Sequence, residues 1–442
     1  MRPRRAPLAA LLVAAACPAL GLDNGVGRLP PLGYNTWNDL GCTHLSEDGV
    51  LSTARSLVST GLRDLGYRYV NLDDCWHDPR GRDPQTGRLR EDPARFPSGL
   101  RALGDALHRM GLRFGIYTDR GSRTCAGFPG SLGYEELDAD TFAEWGVDYV
   151  KEDNCHSNTS MSDLGTTFQQ FGLLRDALNR TGRPIFFSVC GGGDQYPMAN
   201  LSYYATDPRG GEALANSWRI SSDCIEWHTC QNAYQVAASL GRAAGPGGFN
   251  DPDMLLGSSA HAARTLSRAR SRTQFGIWSI LMAPLLLGSP VGRLDEYDLE
   301  TYSNAEVLAV NQDALARQGR LLTPVGAWQS VWARELLGGD WALLLQSDHW
   351  FSIAEVACDA SCWAQLGIAN GTAFAVRDLW LNGPAERPVA VAGQAYALPV
   401  PPRGGSRMLR LSPRALAAAL AGDQGRAALR EGSKPQGDLL HV

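Results

Sequence analysis

Histidine is scarce in this chain, with eight residues in 442. His77, His156 and His228 stand at no recognisable ligand spacing. A zinc centre, which draws on His and Cys at short fixed intervals, is therefore disfavoured. No stretch of Lys and Arg interleaved with aromatics follows the N-terminal segment, and net charge is -5. That argues against nucleic acid as a partner. Long apolar runs are also missing: "IWSILMAPLLLG", from Ile277, falls far short of the ~20 residues of a spanning helix. What remains is an ordinary globular composition, 44% hydrophobic and 20% charged, with length for a domain of ~250 to 300 residues and a smaller one.

The N-terminus, "MRPRRAPLAALLVAAACPALG", carries Arg2, Arg4 and Arg5, a short apolar core, and Ala19 and Gly21 at small-residue positions. This is the three-part pattern of a signal peptide, 1–21, with cleavage expected before Leu22. Pro18 breaks the run, so a membrane anchor is the weaker reading. The expected destination is the secretory pathway, with an extracellular or lysosomal/vacuolar end point. Ten cysteines become nine once Cys17 is removed, so at least one stays unpaired in an oxidising compartment. Sequons at Asn158, Asn179, Asn200 and Asn370 fit the same route.

From Leu32 to about 290, short apolar runs alternate with helical patterns. The strand candidates are "LGYNTW", "YRYVNLDD", "LRFGIYTD", "VDYVKED", "IFFSVC", "SWRISSD", "GGFNDPD" and "LLLGSPV". Between them, "EDGVLSTARSLVSTGLRDLG" and "PSGLRALGDALHRMG" place apolar residues at helical spacing, with Gly66 and Gly111 as C-terminal caps. Eight strand–helix repeats predict a (β/α)8 barrel over 22–320. Beyond it the texture turns to alternation, with a hairpin expected around Gly338, Gly339 and Asp340. An antiparallel β-sandwich domain over 321–412 follows, and then a disordered tail, 413–442.

Acids gather at the strand ends: Asp73 and Asp74, Asp119, Asp153, Asp223, and Asp251 with Asp253. In a barrel these ends open on one face, so residues far apart in sequence converge on one pocket. A single such Asp is more often a turn former, but five strands of eight exceed that explanation. Two chemistries use many acids. A hard cation on aspartates alone would compete with Lys151 and Arg219, two and four residues before Asp153 and Asp223. Glycoside hydrolysis instead needs one ionised and one protonated carboxyl across an anomeric carbon. Lys151 shares a strand face with Asp153 and is expected to lower its pKa. Trp37 and Trp76 offer apolar faces of the kind sugar rings stack on, with core packing as the competing role for either.

The runs "LPPLGYNTWNDLGC", "YVNLDDCW", "GIYTDRG", "CAGFPGS", "DYVKEDNC", "GGFNDPDML" and "NAEVLAVNQD" together resemble the retaining α-galactosidases and α-N-acetylgalactosaminidases of glycoside hydrolase family 27. The resemblance runs in order from about 28 to 320, and "VRDLW" extends it weakly. It implies a (β/α)8 barrel with a C-terminal antiparallel β domain and hydrolysis of terminal α-D-galactosyl residues through a glycosyl-Asp intermediate. Position by position it implies Asp153 as nucleophile and Asp223 as acid/base. Asp73, Asp74, Lys151 and Arg219 would hold the sugar, flanked by Trp37 and Tyr117.

It implies no metal or organic cofactor. The implied partner is an α-galactoside, as oligosaccharide, glycolipid or glycoprotein glycan, with neither nucleic acid nor membrane, and a homodimer stays open. Disulfides Cys42–Cys75 and Cys125–Cys155 are implied too; the close pairs Cys224–Cys230 and Cys358–Cys362 would then leave Cys190 free. Three positions depart from the family pattern. Glu152 replaces an aromatic residue but points away from the pocket by period two, and Arg120 replaces a small one. Gly191 and Gly192 stand where Glu-Trp is usual, beside the sugar's second carbon. An α-N-acetylgalactosaminidase is therefore the alternative, and a catalytically silent sugar-binding barrel a further one.

Overall fold

All eight apolar runs form strands. The computed structural model describes residues 22–158, 164–191, 211–241, 243–259 and 264–413. The expected signal peptide, the segment from Gly192 through Tyr196, Asn200, Tyr203 and Tyr204, and the residues from 414 on lie outside them. The strands are β1 Leu32–Asn35, β2 Tyr67–Asn71, β3 Arg113–Asp119, β4 Tyr149–Asp153, β5 Phe186–Val189, β6 Ser217–Arg219, β7 Phe249–Asp251 and β8 Leu285–Leu287. Each pairs in parallel with its sequence neighbour from β1 to β7, and β1 also pairs with β8. Leu255, just past β7, bridges in parallel to Leu287 of β8, which closes the ring.

Helices cover the outside: α1 Glu47–Ser59, α2 Leu100–Arg109, α3 Glu135–Glu144, α4 Leu164–Arg180, α5 Trp227–Ser239 and α6 Arg268–Ile280. The Ser46 hydroxyl caps α1 by accepting from the Gly49 amide, and Glu47 and Asp48 complement its N-terminal dipole. This helix stops at Ser59, earlier than the sequence pattern predicted. The chain turns at Gly61, φ 80°, and Gly66 serves the turn into β2 instead. For α2 the expected end holds, with Gly111 left-handed at φ 73°. Leu100, Leu103 and Leu107 of α2 are fully buried against the sheet, contributing ~1.5 to 3 kcal/mol each.

The second domain comprises β9 Arg320–Leu321, β10 Gln329–Glu335, β11 Trp341–Ser347, β12 Ala354–Cys358, β13 Ala373–Asp378, β14 Gly383–Val391, β15 Tyr396–Val400 and β16 Gly405–Ser412. The expected hairpin is β10–β11, paired from Gln329↔Ser347 to Glu335↔Trp341. A six-stranded and a two-stranded antiparallel sheet enclose their own core, which includes Leu343, Val356, Trp363, Leu398 and Leu409. The domain is anchored to the barrel by Arg334, whose Nη1 donates to the carbonyls of Ser279, Val310 and Asn311. A second anchor is Asp348, which accepts from Trp227 Nε1 and Gln231 Nε2 of α5.

Candidate active site

Period two places Tyr69, Asn71 and Asp73 on one line inside the barrel, and Tyr149, Lys151 and Asp153 on another. The lower rows pack as aromatics: Tyr69 and Tyr149 meet edge to face at 5.6 Å, and Phe186 stacks on Tyr149 at 5.0 Å. The upper row is charged. Charge thus appears where the strands leave the aromatic layer, and every charge in the row has a partner. Gly115 of β3 lets this interior close, since a Cβ there would lie 2.0 Å from Asn71 Oδ1.

Lys151 Nζ donates to Asp73 Oδ2 at 2.9 Å and lies 3.9 Å from Asp153 Oδ2. Asn35 Nδ2 also donates to Asp73 Oδ2, at 2.8 Å. Asp153 accepts from the Tyr117 hydroxyl at 3.2 Å and from the Asn154 amide at 2.8 Å. Asp74 accepts from the amides of Cys75 and Ala126. Burial works against the Lys151 charge, but Asp73 and Asp153 outweigh it and hold the ammonium above its ordinary pKa. For Asp153 the expected lowering by Lys151 is present, but burial, the larger effect, leaves its pKa raised overall.

At the end of β6, two strands from β4 in the sheet, Arg219 Nη2 donates to Asp223 Oδ1 at 3.0 Å and pairs with Asp253 Oδ2 at 3.1 Å. The guanidinium holds Asp223 below the usual carboxylate range, although burial opposes it. Burial pushes Asp253 up to about 6, with Arg219 opposing. The Asp223 side chain is 59% exposed and that of Asp253 only 5%. Asp253 adopts φ 85°, rare for a non-glycine residue, and its amide is held by Asp251.

Trp37, Asp73, Asp74, Tyr117, Lys151, Asp153, Arg219 and Asp223, all singled out from sequence, line one cavity of ≈ 90 Å³. Asn38, Cys125, Asp253, Met254 and Arg264 complete it. Of these, only Asp253 carried a signal, its place after β7; Arg264 comes from a loop without a motif. Trp76 is not in the pocket. It is fully buried, stacks on His77 at 3.7 Å, and donates to the Tyr117 carbonyl. Asp119 and Asp251 have the turn-forming role: Asp119 accepts from the amides of Gly121 and Cys155, Asp251 from that of Asp253.

Glu152 points out of the barrel as period two required, is fully buried, and neither carboxylate oxygen has a hydrogen-bond partner among the described residues. Burial raises its pKa well above the ordinary value. Arg120 lies over the Phe171 ring and donates to Asn154 and Gln170. Gly191 is buried at the end of β5, its carbonyl 3.5 Å from Asn154 Nδ2; Gly192 lies outside the described residues. The four disulfides Cys42–Cys75, Cys125–Cys155, Cys224–Cys230 and Cys358–Cys362 are all present, and Cys190 is free and buried. Among the described residues, Asp119, Cys125, Asp153 and Cys155 stand close enough to suggest a cation site. Both sulfurs are tied in one disulfide, which leaves two carboxylates as donors.

The pocket therefore presents two carboxyl groups, Asp153 half-buried and Asp223 exposed, with the cations Lys151 and Arg219 among further acids. Sugar hydroxyls would find both donors and acceptors there. The family model described as alpha galactosidase A matches residues 30–313. The α-galactosidase of Cyamopsis tetragonoloba is 40% identical over 362 residues, 81% of each chain. Among solved structures, α-galactosidase I from Mortierella vinacea superposes with TM-score 0.78 at 31% identity, covering 88% of this chain and 98% of that one. The α-galactosidase from Saccharomyces cerevisiae with raffinose gives TM-score 0.77 at 27% identity, covering 89% and 99%. An acid-lined pocket at the strand ends of a β/α barrel, an appended β domain and these likenesses converge: the chain belongs to the α-galactosidase A family, glycoside hydrolase family 27.

Proposed function

We propose that this protein hydrolyses terminal α-D-galactosyl residues with retention of configuration. The observation that carries this reading is the placement of Asp153, beside Lys151 and Asp73, in the same cavity as Asp223. Asp153 attacks the anomeric carbon, the glycosidic bond breaks with its electron pair going to the leaving oxygen, and Asp223 gives that oxygen a proton. Water then yields its proton to Asp223 and attacks the same carbon, releasing Asp153 and galactose.

In this chain Asp223 must leave Arg219 to act as an acid, since the ion pair favours its ionised form. Its exposed side chain has room to turn, and Arg219 keeps Asp253 as a partner. Asp153, although raised by burial, is drawn to its ionised form by Lys151 and by the positive charge that develops on the sugar. Incubation with a 2-deoxy-2-fluoro galactosyl fluoride tests the scheme. A glycosyl adduct on the peptide holding Asp153 is expected; an adduct elsewhere, or none with an active enzyme, would sink it.

A second reading, α-N-acetylgalactosaminidase, is favoured by Gly191 and Gly192, which stand where the family resemblance implies Glu-Trp. Removing two large side chains makes room for an acetamido group. We infer that galactose remains preferred, with added tolerance for the N-acetylamino sugar. A tenfold or greater preference for the latter in kcat/KM, about 1.4 kcal/mol in transition-state binding, would reverse the assignment. Entry to the secretory pathway is part of the proposal; four disulfides and exposed sequon residues Asn158, Asn179 and Asn370 support it. Cleavage before Leu22 would be read by N-terminal sequencing of secreted protein.

A further inference from the structure

Outside the pocket, two polar cavities lie along α5, between the barrel and the β domain. A cavity of ≈ 430 Å³ is lined by Glu226, His228, Gln231, Thr265, Leu266 and their neighbours. It begins one residue from Arg264, which lines the active-site pocket. A second cavity, ≈ 250 Å³, shares His228 and Gln231 and continues to Asn232, Gln235, Trp328 and Asp348. The two therefore form one track leading from the Asp223 side of the site to the β domain.

The lining is that of a carbohydrate surface. Trp328 is 58% exposed, and its ring stacks on His349 at 6.3 Å. A large exposed aromatic held in place by a second ring gives a flat apolar face. Opposite it the outward side of α5 supplies amides, Gln231, Asn232 and Gln235, and Asp348 supplies a carboxylate. Amides and a carboxylate beside an aromatic plane match the alternating hydroxyls and C–H faces of a neutral sugar ring. The track is rigid where it crosses the domains, because Asp348 accepts from both Trp227 and Gln231.

We propose that this track binds the leaving-group part of a large galactoside, a neutral polysaccharide backbone bearing α-galactosyl side groups, with Trp328 as its distal stacking platform. The proposal rests on the galactosidase reading of the pocket. Galactose in the pocket would leave its glycosidic oxygen on the Asp223 side, where the track starts.

The test compares Trp328→Ala and Asn232→Ala with the parent on galactomannan and on p-nitrophenyl α-galactoside, and adds affinity electrophoresis of the Asp153→Asn protein in galactomannan gels. Expected is a fall of about fivefold or more in kcat/KM on the polymer for Trp328→Ala, with the small substrate changed by less than about twofold. Retardation in the gel should be lost with the same substitution. An equal fall on both substrates, or unchanged polymer kinetics and retardation, would overturn the track. Absence of any p-nitrophenyl α-galactoside turnover by the parent would instead count against the pocket reading, while the gel would still decide the track.

Discussion

Arg219 Nη2 stands 3.0 Å from Asp223 Oδ1. The same nitrogen is 3.1 Å from Asp253 Oδ2, so one cation serves an exposed acid and a buried one. The exposed acid is held low and the buried one is pushed up to about 6. Such a pair exchanges its protons as a unit, and its titration belongs to both members.

The first prediction concerns pH. Activity needs Asp153 ionised and a proton on the Asp223 side, so kcat/KM should follow a bell on the acidic side of neutrality. The acidic limb should lie above the ordinary carboxylate range, because burial raises Asp153. The basic limb belongs to the Arg219 pair. Asp253→Asn removes a negative charge that raises Asp223, so this limb should move to lower pH. A basic limb that stays in place in the variant would refute the coupling.

The second concerns the two carboxyls. Asp153→Asn should lower kcat by at least about a thousandfold, as loss of a nucleophile does. The fold should persist, since Asn is nearly isosteric and spares the buried carboxyl its charge. Asp223→Asn should cost ~10² to 10⁴ on alkyl galactosides and far less on p-nitrophenyl galactoside, whose leaving group needs no proton. Equal losses on both substrates would contradict the acid role.

The third concerns Glu152. Its folded pKa is raised above the unfolded value near 4.5, so the folded state keeps a proton that the unfolded chain releases. Its contribution to stability is full below that pH and is lost as pH rises toward the folded value. The slope per group is about 1.4 kcal/mol per pH unit. Glu152→Gln should flatten the Tm–pH curve as pH rises above the unfolded value, while Asp119, pushed up to about 8 by burial, keeps part of the slope. Parallel curves for parent and variant would rule this out.

The fourth concerns the cation under the sugar. Lys151→Met leaves Asp73 and Asp153 without it and should destabilise the fold by about 3 to 5 kcal/mol, with activity lost. Adding Asp73→Asn should recover much of the stability but not the activity. Denaturant unfolding and turnover measured together distinguish the two. If the double variant were no more stable than the single, the pair would not be the cause.

The strands were legible because each combines an apolar run with a polar end, and the pocket because period two carries Lys151 and Asp153 to the same face. What could not be read depends on burial. The spacing in "VKED" shows a cation beside Asp153, yet the sign of its shift is set by desolvation from strands distant in sequence. Asp119 and Asp251 look like Asp153 in sequence, and only the amides they cap reveal them as turn formers. Trp76 differs from Trp37 in the same way: one is enclosed by His77 and Trp145, the other faces the pocket. Arg264 belongs to the site through loop placement alone.

Lysine occurs only at 151 and 434 in the whole chain. Lys434 lies outside the described residues, and Lys151 is locked against Asp73 as an ammonium with a raised pKa. Every other basic side chain on the described surface is arginine or histidine. Reagents that acylate or cross-link primary amines will therefore find almost nothing to attack on the folded domains, and their only amine in the pocket is a poor nucleophile. Attachment to a solid support through Lys434, the chain's first residue or glycans would spare the catalytic face, whereas carboxylate coupling would reach the exposed Asp223.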